Sequence, residues 1–133
     1  MNGFIAGKWR LFNTTSDDRW PQLRPPNGVI YKIHSMVVSH NDATSRTISS
    51  WMSFQGGALN AYLSPITIAL AAGVFVDFWH DVNGAPTAHA PFWATYNIWP
   101  GFSVSGLTPG NLITMSAVFE EFPAGLMMGA GEL

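Results

Sequence analysis

No run of a dozen residues in this chain keeps an apolar stripe at i, i+3, i+4, i+7 spacing without meeting a Gly, a Pro or a β-branched run. Helices are therefore a poor basis for its fold. What recurs instead is short runs of Val, Ile, Phe and Trp, separated by clusters of Gly, Pro, Asn and Asp, which is the pattern of strands joined by turns. The longest run is Val29 to Ser39, framed by Pro25-Pro26-Asn27-Gly28 and by His40-Asn41-Asp42. The flanks read as an opening turn and a closing loop, with His40 in the loop. The strand between them is apolar on both alternating faces, which predicts a place inside a sheet covered by the core on one side and at least partly by a neighbour on the other.

Other segments fit the same scheme. Gly7 to Thr15 reads as a first strand, followed by a polar loop whose prolines keep it out of a sheet interior. Arg46 to Gln55 alternates Ile48, Met52 and Phe54 with Ser49, Trp51 and Ser53, as a half-buried strand does, and Gly56-Gly57 ends it. "ITIAL" and "GVFVDFWHDV" flank Ala71-Ala72-Gly73 and read as paired strands joined by a glycine turn. Asn83 to Gly101 carries Pro86, Pro91 and Pro100 and predicts a long aromatic loop with a short strand inside. "FSVSGL" and "NLITMSAVFEEF" are strands joined across Thr108-Pro109-Gly110, where Pro fixes φ and Gly accepts a positive one. The expectation is an all-β fold, a single antiparallel β-sandwich of jelly-roll or immunoglobulin-like type. It assigns an N-terminal arm, first strand and loop to 1–24, the sandwich body to 25–120 and an apolar tail to 121–133. A length of 133 residues suits one domain.

Charged residues are 11% of the chain, against roughly 25% in ordinary soluble domains, while there are six Trp and nine Phe. Apolar surface of that kind is expected to be buried against other copies or another protein, so the chain reads as an assembly protein. The alternative is a monomer with a Ser/Thr/Asn-rich surface. All six basic residues, Lys8, Arg10, Arg19, Arg24, Lys32 and Arg46, precede position 47, whereas Asp77, Asp81, Glu120, Glu121 and Glu132 follow it. That segregation suits register between subunits. It does not suit nucleic acid, which wants a clustered excess of Lys and Arg. No cysteine is present, so disulfides and thiolate metal sites are excluded. The apolar run Pro65 to Phe78 is too short and too strand-like for a membrane span, and the N-terminus lacks the apolar core of a secretory signal. No membrane partner is expected.

Residues able to do chemistry are scattered. His80 and Asp81 are neighbours, but on a strand they point to opposite faces; Asp77, Trp79 and Asp81 share one face. Asp77 and Asp81 would stand about 13 Å apart along a strand, too far to share a proton or an ion unaided. His34 falls on the even face with Ile30, Lys32, Met36 and Val38, where a hydrogen-bonded spacer is the expected role. "GFSVSG" is not a nucleophile elbow, and "GGALNAY" lacks the lysine and spacing of a phosphate loop. The expectation is a protein that is not an enzyme, with no catalytic residue, no metal ligand and no cofactor. Trp79, Phe92, Trp93, Tyr96 and Trp99 admit a carbohydrate-binding reading, against which stands their use in the core and at interfaces.

The order of the pieces "PPNGVIYKIHSMVVSHND", "SRTISSW", "IALAAGVFVDF" and "GLTPGNLITMSA" resembles the small β-sandwich virion proteins of tailed bacteriophages. Asn111 stands where that family usually has an acidic residue, and Asn83 to Gly101 looks like an insertion. The resemblance implies a virion structural protein, most of all one that decorates or cements the capsid. A neck, tail or fibre component is the alternative. It implies as partners further copies of the chain, in a closed oligomer such as a trimer, and a major capsid protein or other virion protein. The contacts are then expected at Trp9 and Arg10, at Arg19 and Trp20, at Phe92, Trp93 and Trp99, and at Leu126, Met127 and Met128.

Overall fold

A computed structural model describes residues 7–54, 60–61, 67–77 and 91–125. They form nine strands: β1 (Lys8–Ser16), β2 (Val29–His40), β3 (Arg46–Phe54), β4 (Asn60–Ala61), β5 (Thr67–Leu70), β6 (Val76–Asp77), β7 (Phe92–Ala94), β8 (Ile98–Ser105) and β9 (Ile113–Pro123). Every pairing is antiparallel. The first sheet runs β1-β9-β2, and β7 and β6 share the far edge of β2 at Tyr31–Ile33 and Val37–Val38. The second has β3 at its centre, with β8 along one edge and β5 and β4 along the other. The fold is all-β, two antiparallel sheets in the manner of a β-sandwich.

Alternation explains most of the core. In β9, Ile113, Met115, Ala117 and Phe119 are buried, while the residues between them face outward or lie partly covered. From the second sheet Ile48, Phe102 and Val104 join the same cluster. β2 reaches the core differently. Its register against β9 shifts between Ile33 and Ser35, so that His34 is the extra residue of a β-bulge. Before the bulge the odd-numbered Ile33 is buried, and after it the even-numbered Met36 and Val38 are. A strand that reads as apolar on both faces thus changes phase halfway, and His34 does not share a face with Met36 and Val38 as expected.

The turns follow local chemistry. Gly28 has φ 87° with Val29 N–H donating to Pro26 O at 3.2 Å, and Gly110 has φ 91° with Asn111 N–H donating to Thr108 O at 3.1 Å. Long-range placement departs from expectation in several places. The strands either side of Ala71-Ala72-Gly73 do not pair with each other: β5 pairs with β3 and β6 with β2, so the turn carries the chain from one sheet to the other. The aromatic excursion ends earlier than Gly101, because β8 already begins at Ile98. Trp51 is buried although it lies on the face expected to be open, whereas Phe54 is exposed. The ring of Trp51 lies against Gly101, its register partner, where a Cβ would come within 2.5 Å of the indole and 2.9 Å of Pro21 O.

Lys8–Ser16 form a strand of the first sheet, and residues 17–24 form a loop laid along the second. β1 pairs with β9 from Lys8↔Glu121 to Ser16↔Ile113. The following loop then runs along β8: Val104 N–H donates to Arg19 O at 2.9 Å, Phe102 N–H to Pro21 O at 2.9 Å, and Leu23 N–H to Pro100 O at 3.0 Å. An edge covered in this way offers fewer free backbone groups to another chain. The sandwich body likewise extends to Pro123, since β9 ends there.

His40 is no loop residue; it is the buried last residue of β2. Its Nδ1 accepts from Asp42 N–H at 3.1 Å, so the ring proton sits on Nε2 and is donated to Leu70 O at 2.6 Å. The buried Asp42 carboxylate accepts from the backbone N–H groups of Thr44 (3.0 Å) and Thr108 (2.8 Å) and from Arg46 Nε (2.8 Å). These donors, the two backbone groups foremost, hold the carboxyl well below the usual carboxylate range. Arg46 also donates to Thr108 Oγ1 at 2.7 Å. One knot therefore ties the β2–β3 loop, the start of β3 and the β8–β9 turn together.

Candidate binding face

Four residues lie in one row across the outer face of the first sheet. The register pairs Trp9 with Glu120, Glu120 with Lys32, and Lys32 with Trp93, so β1, β9, β2 and β7 each contribute one side chain. Three strand spacings separate the outer two, which places Trp9 and Trp93 about 14 Å apart. Trp9 is 60% exposed and Trp93 43%. Beside Trp9 stand Leu11, 75% exposed, and its register partner Val118. Further along β1 the same face turns polar, with Ser116 Oγ donating to Asn13 Oδ1 at 2.9 Å and the Thr15 and Thr114 hydroxyls 3.0 Å apart.

The bulge puts His34 into this row. Its Nε2 lies 2.8 Å from Glu120 Oε1, and its ring stacks on Trp9 with centroids 4.6 Å apart and 28° between planes. Lys32 Nζ lies 5.6 Å from the Trp93 ring centroid, and that ring packs 5.4 Å from Phe122. Gly7 closes the near end, since a Cβ there would come within 2.6 Å of both Glu120 Oε2 and the Phe122 ring. The polar groups of the row are thus spent on one another and on the rings. What the row offers to the outside is flat indole surface and the Leu11 and Val118 side chains, held in place by neighbours, and this is suited to burial against another surface.

The opposite face of the same strands carries different chemistry. Arg10 and Glu121 form an ion pair of 3.4 Å, and the Arg10 side chain is half exposed, so the pair adds little stability. Tyr31 packs on Phe119 with centroids 4.2 Å apart; burial, helped by Glu121, pushes its phenol above the ordinary value.

Of the residues expected to make contacts, Trp9 and Trp93 share the outer face, and Arg10 lies behind it. Arg19 and Trp20 stand together in the β1–β2 loop, with Arg19 donating to Leu107 O at 3.1 Å and Trp20 exposed. Phe92 pairs through its backbone with Ile33. Trp99 is not available for a partner. It is buried, its Nε1 donates to Gln22 Oε1 at 2.6 Å, and the Arg24 guanidinium lies 3.9 Å from its ring and 4.0 Å from that of Tyr96. The aromatic group read as a sugar platform is therefore dispersed: Trp93 faces outward, Trp99 is internal, and Tyr96 lies against Arg24. Trp79, His80, Asp81, Leu126, Met127 and Met128 lie outside the described residues.

His34, Lys32 and Glu120 gain their importance only from register. Nothing in their local sequence marks them, because residues 32 and 120 meet only once β9 lies beside β2. Among the described residues no three metal-ligating side chains form a cluster, and no helix is long and apolar enough to cross a membrane. No protein-family model matches the chain, and no curated protein matches it.

Proposed function

We propose that this protein is a bacteriophage virion structural protein, a jelly-roll or immunoglobulin-like sandwich that decorates or cements the major-capsid shell by association alone. The observation that carries the reading is the outer strip of Trp9, Leu11, Val118 and Trp93, whose rings are held in place yet left open. A single interfacial Trp can bury on the order of 150–250 Å², so two of them make a strong anchor for a neighbouring subunit. The 11% of charged residues and the order of strands and turns support the same reading. The neighbour is another copy of the chain or the major capsid protein.

Imaging of the assembled particle tests it. Density for this chain over the shell, lost when Trp9 and Trp93 are both changed to Ala, is the expected result. Density confined to one vertex or to the tail would replace it with the neck, tail or fibre reading. Absence of the chain from purified particles would overturn both.

A further inference from the structure

A second exposed tryptophan site lies away from this face, and its position is built by the loop that carries it. Trp20 is 62% exposed. Asp18 N–H donates to Ser16 Oγ at 3.2 Å, and Trp20 N–H donates to Asp18 Oδ1 at 2.9 Å, so two successive side-chain turns aim the residue. Arg19 is fixed at both its ends, its carbonyl to Val104 N–H at 2.9 Å and its guanidinium to Leu107 O at 3.1 Å. Between this loop and β8 runs an open groove of about 570 Å³, with Asp18, Arg19 and Trp20 on one wall and residues 103–106 on the other. The β3–β8 register sets Ser105 opposite the exposed Thr47, which carries a hydroxyl pair on from the groove, while Ser49, opposite Ser103, is buried.

We infer that this groove binds a neutral saccharide. An exposed indole gives a flat apolar platform for the C–H face of a sugar ring, a use to which an amphipathic aromatic is well suited. Around it stand groups of every hydrogen-bonding kind. The Asp18 carboxylate accepts only, and the Arg19 guanidinium donates only. Ser103 and Ser105 do both. A sugar, whose hydroxyls also donate and accept, meets each of them with a partner. An anion such as phosphate is disfavoured, because the Asp18 charge sits next to that of Arg19 and cancels it. An apolar peptide side chain would offer no hydrogen bond to the second Asp18 oxygen or to the Ser103 and Ser105 hydroxyls. The site is on the second sheet and the Trp9–Trp93 strip on the first, so the inference does not rest on the assembly reading.

The test is titration of the full chain with neutral oligosaccharides of glucose, galactose, mannose and N-acetylglucosamine, followed by tryptophan fluorescence and ligand-observed NMR. At least one series is expected to bind saturably, with a dissociation constant of about 1 mM or tighter. Trp20→Ala should weaken that binding by about tenfold or more, Trp20→Phe should keep part of it, and Asp18→Asn should weaken it at unchanged melting temperature. Trp9→Ala and Trp93→Ala should titrate like the unmodified protein. No saturable binding up to about 10 mM of any series overturns the inference. So does binding that survives Trp20→Ala, or that is lost in Trp93→Ala instead.

Discussion

His34 and His40 lie on one strand, and their surroundings divide β2 into two regions. At His34 the strand bulges, the ring stacks on an exposed indole, and its Nε2 lies 2.8 Å from Glu120 Oε1. At His40 the ring is buried, and both nitrogens are engaged with backbone groups next to the Asp42 knot. The difference shows that position along the sandwich decides the use of a side chain more than its type does. The knot end ties the β2–β3 loop to the β8–β9 turn, a junction that Asn41 reinforces through its N–H to Leu112 O at 3.2 Å and its Oδ1, which accepts from Leu112 N–H at 2.7 Å. The bulge end sends Ile33 into the core and turns Lys32 and His34 to the outer surface.

The largest expected effect is therefore at the knot. Asp42→Ala leaves two backbone N–H groups and Arg46 without their acceptor, and should lower the melting midpoint by about 10 °C or more in thermal circular dichroism. The acid limb carries the same information. Because the folded-state carboxyl is depressed, its contribution is complete above the ordinary carboxylate range and is lost only as pH falls through the lower folded value. Wild-type and Asp42→Ala melting curves should thus stay apart at about pH 4 and converge only in stronger acid; convergence at higher pH would contradict the wiring described.

His40→Ala comes next. It removes the buried donor to the Leu70 carbonyl and the acceptor of the Asp42 N–H and opens a cavity, for an expected loss of about 2–3 kcal/mol in denaturant titration. His34→Ala should cost under about 1 kcal/mol, since the pair it breaks is partly open to solvent, yet it should raise the mobility of Trp9 seen by fluorescence anisotropy. Trp9→Ala should be smallest in stability, within about 0.5 kcal/mol of the unmodified protein. Light scattering on eluting protein should show it less associated than the unmodified chain. A large stability loss at Trp9 would erase the contrast between the two ends of β2.

How much of this was legible from the residues depended on range. Turn chemistry is local, and the positive φ of Gly28 and Gly110 sits where Asn-Gly and Pro-Gly place it. The strands themselves follow from alternation and breaker residues, and the run read as the last strand does form β9, burying Ile113, Met115, Ala117 and Phe119 at strand spacing. Sheet membership is not local. The residues on either side of Gly73 carry no sign that one strand joins β3 and the next joins β2. The bulge was hidden because a strand with apolar residues on both parities is compatible with either phase, and only pairing with β9 chooses. Trp99 read as a contact residue because aromatic content does not say whether a Gln22 and an Arg24 will close over it. The outer strip was half visible: Trp9 and Trp93 could be named, but not that Glu120, His34 and Lys32 lie between them.

The position of β9 in its sheet has a consequence in time. It is the last strand in sequence among those described, yet it lies between β1 and β2, pairing Ser16 with Ile113 on one side and Val29 with Pro123 on the other. During synthesis β1 must wait for most of the chain to emerge before it finds β9, and β2 meets only the short β6 and β7 along its other edge before then. The second sheet can begin sooner, because β3 and β5 are close in sequence and β8 follows before β9. Pairing over such separations is slow, and the edge of β2 that awaits β9, on a strand apolar on both faces, is the segment most open to wrong association meanwhile. Yield of folded protein should accordingly respond to translation speed and chaperone supply more than to changes in the finished core.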